Sequence, residues 1–352
     1  MFERHPRNPL ITPASIQPSR ADLEIIGTFN AGAVIHENEI LLVVRVAERP
    51  ADRQPDVVLC PYLNEASSIV VKAIKRDDPA YNTSDPRVVR HLPTGEVYLT
   101  SISHFRLARS SDGVNFTFDP GPWINPVQIF EGFGIEDARI TRIDDTYYVN
   151  YTAVSRYGIA TSLMSTPDFR NIDWHEVIFP PSNRDVVIFP QRINGLFACY
   201  HRPMPGDLGG YNMWLATSPD LIHWGGHQVV LEAGTEGWEA GRVGGGAPPI
   251  WTERGWLSIY HAADRRNRYC LGAFLTPHDE PQHILTRSAA PILEPEADYE
   301  VEGFFGNVVF TCGAVVQDGV LKLYYGAADA VIALAEAPLD VVLNSLTPAN
   351  SA

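Results

Sequence analysis

The stretch "GIEDARITRIDDTYYVNYTAVS" places Glu136, Asp137 and Arg139 at the head of a β-hairpin. The run "YYVNYTAV" has the aromatic and β-branched content of a strand, and "IDDT" is a tight turn before it. A strand carries two carboxylates and a guanidinium when it lines a wet cavity. Glycosidic cleavage is one chemistry that needs such groups, because it takes a proton donor for the leaving oxygen and a nucleophile on the opposite face. Asp137 is the candidate donor. Arg139 beside it favours the ionised form and burial favours the neutral one. The competing role is structural, an aspartate accepting backbone N–H groups at a strand end.

The segments "NRDVVIFP", "YHRPMP" and "GRVGGGAPP" are read as putting Arg184, Arg202 and Arg242 at equivalent points of successive repeating units. Three guanidiniums facing one cavity repel each other unless an anion or carboxylates sit between them. The planar Arg fork suits phosphate oxygens. With 42 acidic residues in the chain, three separate salt bridges are the alternative. "GGGAPP" lacks the Lys-Ser/Thr ending and following helix of a phosphate loop. Its glycines are expected to admit a ligand or a neighbouring backbone. His104, His201 and His261 end "SISH", "CYH" and "IYH", where they could meet sugar hydroxyls or anions, or serve as structural histidines. Trp224, Trp238 and Trp256 offer stacking faces for a sugar, with core packing the simpler role. A Ser-His-Asp order and a nucleophile elbow are both missing.

What must position these groups is a unit that recurs. "DARITRIDDTYYVNYTAV", "DVVIFPQRINGLFACYHRP", "GGAPPIWTERGWLSIYHAA" and "NVVFTCGAVVQDGVLKLYYGAAD" each read as strand, tight turn, strand, with a third strand behind. "FNAGAVIHENEILLVVRVAE" and "DPRVVRHLPTGEVYLTSIS" fit the same template. The turns "IDDT", "INGL", "ERGW", "QDGV" and "PTGE" supply the Asp, Asn and Gly that tight hairpins require. A helical period is nearly absent outside the last dozen residues. Short strands, regular hairpins and a repeat of about 50 residues predict an all-β fold, a β-propeller, with a two-sheet sandwich as the rival. The residue opening the first strand of each unit would point into a central funnel. Those openers are Asn30, Asp85, Asp137, Asp185, Gly246 and Asn307. Six openers leave two arrangements: six blades, or a five-bladed ring with an extra element around residues 65–103. The chain reads as a single catalytic domain, 1–352, with an N-terminal segment 1–20 and a short C-terminal segment 338–352.

A chain of 352 residues, 45% hydrophobic and 20% charged, supports a sizeable core. No segment approaches the run of about 18 apolar residues that a membrane span needs. The start, "MFERHPRNPLITP", has no apolar h-region, so a cytoplasmic location is expected. Cys60, Cys199, Cys270 and Cys312 are scattered without metal-ligand spacing and read as buried thiols, with no metal site expected. The net charge of −15 argues against nucleic-acid binding, which needs a basic face. An anionic substrate would need a local basic cluster, helped by a Debye length of about 8 Å at physiological salt.

Taken in order, "FNAGAV", "LLVVRVAE", "GIEDARIT", "RDVVIFPQRINGLFACYHRP", "GRVGGGAPPI", "GWLSIYHA" and "YYGAAD" resemble family 130 of the glycoside hydrolases. The resemblance runs from about residue 8 to residue 340. It implies a five-bladed β-propeller and the activity of a β-mannoside phosphorylase or β-mannosidase. It gives Asp137 the role of sole catalytic acid, protonating the glycosidic oxygen through the 3-hydroxyl of the mannosyl unit. Asn30, Arg45 and Asp329 would hold the non-reducing mannose, with Arg139 and His201 in the same substrate-binding set. Arg184, Arg202, Arg242 and His261 would bind phosphate, the family often having Lys at the place of Arg242.

An inverting phosphorylase then follows, because phosphate is already a nucleophile and one acid with an anion cradle suffices. The product would be α-mannose 1-phosphate, with inorganic phosphate as co-substrate and no cofactor. One alternative is an inverting β-mannosidase acting on β-1,2- or β-1,4-mannosides. It needs a second carboxylate roughly 6.5–9.5 Å from the acid, for which Glu236, Glu239 and Glu302 are candidates. The other is a non-catalytic glycan-binding propeller. The expected partners are a manno-oligosaccharide and phosphate, without nucleic acid or membrane. Linkage, acceptor sugar and oligomeric state, a homo-oligomer included, are not legible in the sequence.

Overall fold

Hairpins closed by Asp, Asn and Gly build nearly the whole molecule. The computed structural model describes residues 1–349, so the last three residues of the expected C-terminal segment lie outside the described residues. The fold is all-β, with short α-helices at Asp298–Val301 and Leu339–Ser345. The turn residues Asp144, Asn194 and Asp318 have φ of 54°, 52° and 51°, the left-handed region that Asn and Asp tolerate best after Gly. Second strands are largely buried on both faces: all nine residues of Gly255–Ala263 are buried. Among the described residues no helix is long and apolar enough to cross a membrane.

Five antiparallel units of four strands follow one another. The first is Leu23–His36, Glu39–Pro50, Ile102–Ser110 and Thr117–Phe118. The second is Gly134–Ile143, Thr146–Ser155, Gly158–Thr166 and Asp173–Phe179. The third runs Asn183–Ile188, Phe197–Pro203, Met213–Ser218 and Gly225–Leu231. In the fourth, an interrupted first strand (Arg242–Gly245 and Ile250–Thr252) pairs with Gly255–Ala263, followed by Tyr269–Thr276 and Thr286–Arg287. The fifth has Val309–Gln317, Val320–Ala327 and Val331–Pro338, and its outer strand is Glu3–Arg4 from the other end of the chain. The N-terminal segment is thus an integral strand, fixed further by Arg4 ion-paired to Glu300 at 2.8 Å.

The apolar clusters lie between units. Leu41, Val43 and Phe105 of the first pack with Ile135, Val149 and Tyr151 of the second. Leu163 and Ile178 meet Val186, Ile188 and Cys199 of the third. Val187 and Tyr200 meet Trp256, Tyr260 and Phe274 of the fourth. Leu257 and Leu271 meet Val309, Leu321 and Tyr325 of the fifth. Leu42 and Val44 of the first meet Tyr324, Ile332 and Leu334, again of the fifth. Each fully buried large apolar side chain contributes about 1.5–3 kcal/mol, so these seams dominate cohesion. Backbone pairing between the first and second units is a single bridge, Gly134 to Ser103.

Residues 57–99 form no four-stranded unit of their own. Val57–Leu63 pairs with Ile69–Lys75, and Tyr81–Asn82, Val88–His91 and Val97–Leu99 make a small three-stranded sheet. Both are inserted between the second and third strands of the first unit. Asp85 is therefore not an opener, since it lies in a turn of this insertion. The template failed there because "ISHFRLARS", expected to straddle two strands, is one third strand, Ile102–Ser110, paired directly with Glu39–Pro50.

Candidate active site

One backbone irregularity aims the polar openers. In the first strands of the first three units the register shifts between Phe29 and Gly32, between Glu136 and Arg139, and between Arg184 and Val187. At each shift sits a left-handed residue: Asn30, Asp137 and Asp185, with φ of 51°, 54° and 58°. Such a bulge leaves one residue unpaired and re-aims its side chain. Asn307, opening the fifth unit, has φ of 61°. In the fourth unit the place falls to Gly244–Gly246. A Cβ on Gly244 would come within 2.7 Å of Asp185 Oδ2, and one on Gly245 within 2.6 Å of the Asp185 carbonyl. The glycines therefore admit a neighbouring unit.

Asp137 Oδ1 accepts from Asn30 Nδ2 at 2.9 Å and from Arg45 Nη1 at 3.1 Å. Arg45 Nη2 also donates to Glu136 Oε1 at 2.7 Å, and Arg184 Nη2 stands 3.6 Å from the other Glu136 oxygen. Glu136 thus ties the arginine on the Asn30 side to the arginine on the other side. Burial pushes the Asp137 carboxyl up, but Arg45, Arg139 and Arg184, with the Asn30 hydrogen bond, outweigh it and hold the carboxyl below its usual range.

Asp185 is the anchor of the second cluster. Its oxygens lie 3.3 Å from Arg139 Nη2, 2.9 Å from Arg202 Nη2 and 3.3 Å from His261 Nε2. Burial opposes its charge, yet Arg202, His261 and Arg139 hold it well below the ordinary carboxylate range. Burial keeps His261 neutral against the pull of Asp185. Arg184 and Arg202 are cross-strand partners on one hairpin of the third unit, not equivalents in successive units as the sequence suggested, and Arg242 is bound by Tyr269 at 3.0 Å and Asn267 at 2.8 Å. Burial lowers the Arg202 pKa; Asp185 raises it, while Arg184 and Arg242 press it down further. The Nε atoms of Arg184, Arg202 and Arg242 are all buried without an acceptor, as is His261 Nδ1. Buried unpaired donors of this kind are costly, and an anion carrying several oxygens would satisfy them together.

Asp329 completes the cluster around Arg45 and Asp137. Burial, opposed by Arg45 and Arg87 and reinforced by Asp137 and Glu136, pushes its carboxyl up to about 6. A native pKa above the unfolded value means the native state binds more protons between the two. This contribution to stability is present at low pH and is lost as pH rises toward 6. Asp329→Asn is therefore expected to raise the melting temperature at pH 7.5, with the gain shrinking as pH falls through 6 toward 4. Thermal denaturation across that range checks it; equal gains at every pH would count against the assignment.

The structure brings together Asn30, Arg45, Asp137, Arg139, Arg184, Arg202, Arg242, His261 and Asp329. Arg139 acts as a pillar, its donors taken by the carbonyls of Asp137 (3.0 Å), Gly245 (3.1 Å) and Gly246 (3.3 Å) and by Asp185. The structure does not bring His201 to the cluster. Its ring stacks on Phe179 and meets Asn183 at 2.9 Å and His227 at 3.1 Å, because strand alternation turns it away from the face of Arg202. His104 sits 3.6 Å from Glu48, with burial lowering it to about 3. Trp224 stacks on Phe179 and Trp238 on Tyr260, while Trp256 lies in the core, so all three are packing residues. Glu239 is held by Arg287 and Tyr260, and Glu236 and Glu302 are exposed. The linking role of Glu136 and the anchoring role of Asp185 were not predicted, although "ED" and "RD" at matching strand positions signal both.

A family model described as β-1,4-mannooligosaccharide phosphorylase matches residues 86–347. The β-1,2-mannobiose phosphorylase of Listeria innocua serovar 6a is 44% identical over 346 residues, covering 97% of this chain and 98% of that protein. A 1,2-β-oligomannan phosphorylase of Thermoanaerobacter is 40% identical over 237 residues, covering 66% of this chain and 78% of that one. The crystal structure of the Listeria innocua enzyme in complex with β-1,2-mannobiose superposes with a TM-score of 0.94, covering 98% of this chain and 99% of that one. The chain belongs to glycoside hydrolase family 130, and it is an enzyme of that family.

Proposed function

We propose that the protein is an inverting β-mannoside phosphorylase, which cleaves a terminal β-mannosidic bond with inorganic phosphate. The observation that carries this reading is the set of three buried arginine Nε donors without acceptors, on arginines clustered with one suitably placed acid. Asn30, Arg45 and Asp329 hold the non-reducing mannose, and Arg184, Arg202, Arg242 and His261 receive phosphate. A phosphate oxygen attacks the anomeric carbon from the face opposite the glycosidic oxygen. The C–O bond breaks, its electron pair leaves with the acceptor oxygen, and the proton from Asp137 reaches that oxygen through the mannosyl 3-hydroxyl. The products are α-mannose 1-phosphate and the shortened acceptor.

The lowered pKa of Asp137 fits this sequence. Phosphate seated beside Arg184 offsets the positive field that holds the carboxyl down, so the acid is best able to carry its proton when the nucleophile is bound. Identity of 44% across the full length to a β-1,2-mannobiose phosphorylase supports a β-1,2 linkage. The same reading takes the five units, each packed on the next and the fifth on the first, as a five-bladed propeller. Four free, buried cysteines fit a reducing compartment such as the cytoplasm.

The test is incubation with β-1,2- and β-1,4-mannobiose, with and without phosphate. Mannose 1-phosphate formed from β-1,2-mannobiose only when phosphate is present is the expected result. Free mannose released at the same rate without phosphate would overturn the reading.

A further inference from the structure

Glu136 stands where three units meet. It holds the last paired position of the second unit's first strand before the register shift that turns Asp137 out. Its Oε1 accepts from Arg45 Nη2, on the second strand of the first unit, at 2.7 Å. Its Oε2 lies 3.6 Å from Arg184 Nη2, on the first strand of the third unit. The two contacts differ in kind. Arg45 is held on every edge, its Nε by Ser103 at 3.2 Å and its Nη1 by Asp137 at 3.1 Å, with the guanidinium 4.4 Å from the Phe29 ring centroid. Arg184 has no such hold. Its Nε is buried without an acceptor, and among the described residues the long contact to Glu136 is its one ion pair.

Arg184 needs a negative neighbour. Burial opposes its charge, and Asp185, Glu136 and Asp137 sustain it. It faces Arg202 across the hairpin, and the two like charges press on each other. A guanidinium 3.6 Å from a carboxylate oxygen is attracted without being hydrogen-bonded, so it can re-aim at little cost. The Arg184 side chain is 24% accessible, against 15% for Arg45, which places the looser of the two arginines on the more open side. Phosphate and Glu136 offer the same fork the same chemistry, paired oxygens carrying negative charge. Both cannot engage it fully, because anions at such separations repel.

We propose that Glu136 is a tethered competitor for the phosphate site: its carboxylate engages Arg184 until phosphate displaces it, and it returns to Arg184 as α-mannose 1-phosphate leaves. This role rests on the phosphorylase reading above. Glu136 is a positioning residue, anchored by Arg45 and acting through Arg184. It lowers the affinity of the site for anions, and so keeps the phosphate ester from lingering after the glycosidic bond is cut. The ligand class is a phosphate group, free or esterified.

The experiment is calorimetric titration of wild type and Glu136→Gln with inorganic phosphate and, separately, with α-mannose 1-phosphate. Glutamine keeps the shape of the side chain and an oxygen for Arg45 while removing the charge. Glu136→Gln is expected to bind phosphate about 10-fold more tightly, the direction set by relief of a like-charge contact, and to bind α-mannose 1-phosphate more tightly in parallel. The sign is diagnostic, since loss of a merely structural contact would loosen Arg45 and Arg184 and weaken anion binding. Glu136→Asp, which draws the charge back from Arg184, should give a smaller gain and serves as the second variant if the glutamine variant is unstable. In the Arg184→Met background, Glu136→Gln should change phosphate affinity by no more than about twofold, because the contested guanidinium is gone. Phosphate affinity unchanged or weakened in Glu136→Gln overturns the proposal, as does a gain that persists in full without Arg184. A wild type that binds no phosphate and forms no mannose 1-phosphate refutes the phosphorylase reading itself, whereas a phosphorolytic wild type whose phosphate affinity Glu136→Gln fails to tighten refutes this inference alone.

Discussion

Asp137→Asn is expected to lower the kcat of phosphorolysis by about 10²- to 10⁴-fold, the usual range for loss of a positioned acid, while leaving the protein folded. The amide keeps the shape of the carboxyl and can still meet Asn30 and Arg45, which hold the native group at 2.9 and 3.1 Å. What it cannot do is deliver a proton. It also deletes a negative charge from a pocket containing Arg45, Arg139 and Arg184. Phosphate should therefore bind the variant at least as tightly as it binds the wild type, and calorimetry with inorganic phosphate reads this directly. Retention of more than about a tenth of wild-type kcat would remove Asp137 from the role of acid.

The second large effect is expected at Arg184. Arg184→Met keeps most of the side-chain volume and removes a guanidinium whose Nε is buried without an acceptor. The KM for phosphate should rise by roughly 10- to 100-fold, since a charged hydrogen bond contributes about 1.5–3 kcal/mol. A further readout separates this from general damage. Arg184 is one of the charges holding the Asp137 carboxyl down, so its removal lets that pKa rise. An acid works only while protonated, so activity falls as pH climbs through its pKa, and the alkaline limb should move to higher pH in the variant. A weaker phosphate KM with an unmoved limb would mean that the two residues are not coupled. Arg242→Met is the comparison: Arg242 is not among the largest influences on Asp137, so that limb should move less than in Arg184→Met.

The repeat was legible because hairpin chemistry is local. Turn residues at Asp144, Asn194 and Asp318 and the apolar run of Gly255–Ala263 announce their strands without help from distant parts of the chain. The candidate acid and the three arginines were also legible as residues at strand ends, although Arg184 and Arg202 face each other on one hairpin and are not equivalents from successive units. Contacts across units were not. Nothing in "RDVVIFP" says that Asp185 will collect Arg139, Arg202 and His261, because those partners come from three different units. The three histidines looked equivalent for the opposite reason. Matching sequence positions hid that His104 is on a third strand and that His201 projects from the face opposite Arg202. The extra opener, Asp85, belonged to an inserted turn whose Asp-Pro-Arg sequence imitates a strand start.

The strand Glu3–Arg4 has a consequence for how the protein comes into being. Its partners are Glu336 and Ala335, so this strand is synthesised long before the residues it pairs with. At about 5–20 residues per second, a ribosome leaves that segment waiting on the order of half a minute for its mate. Until then the fifth sheet has an open edge, and the faces later buried by Ile332 and Leu334 against the first sheet remain uncovered. Closure is a long-range event, and contacts of such separation are slow to form. The edge of the fifth sheet is thus closed by a segment remote from it in sequence, a contact that comes late in folding.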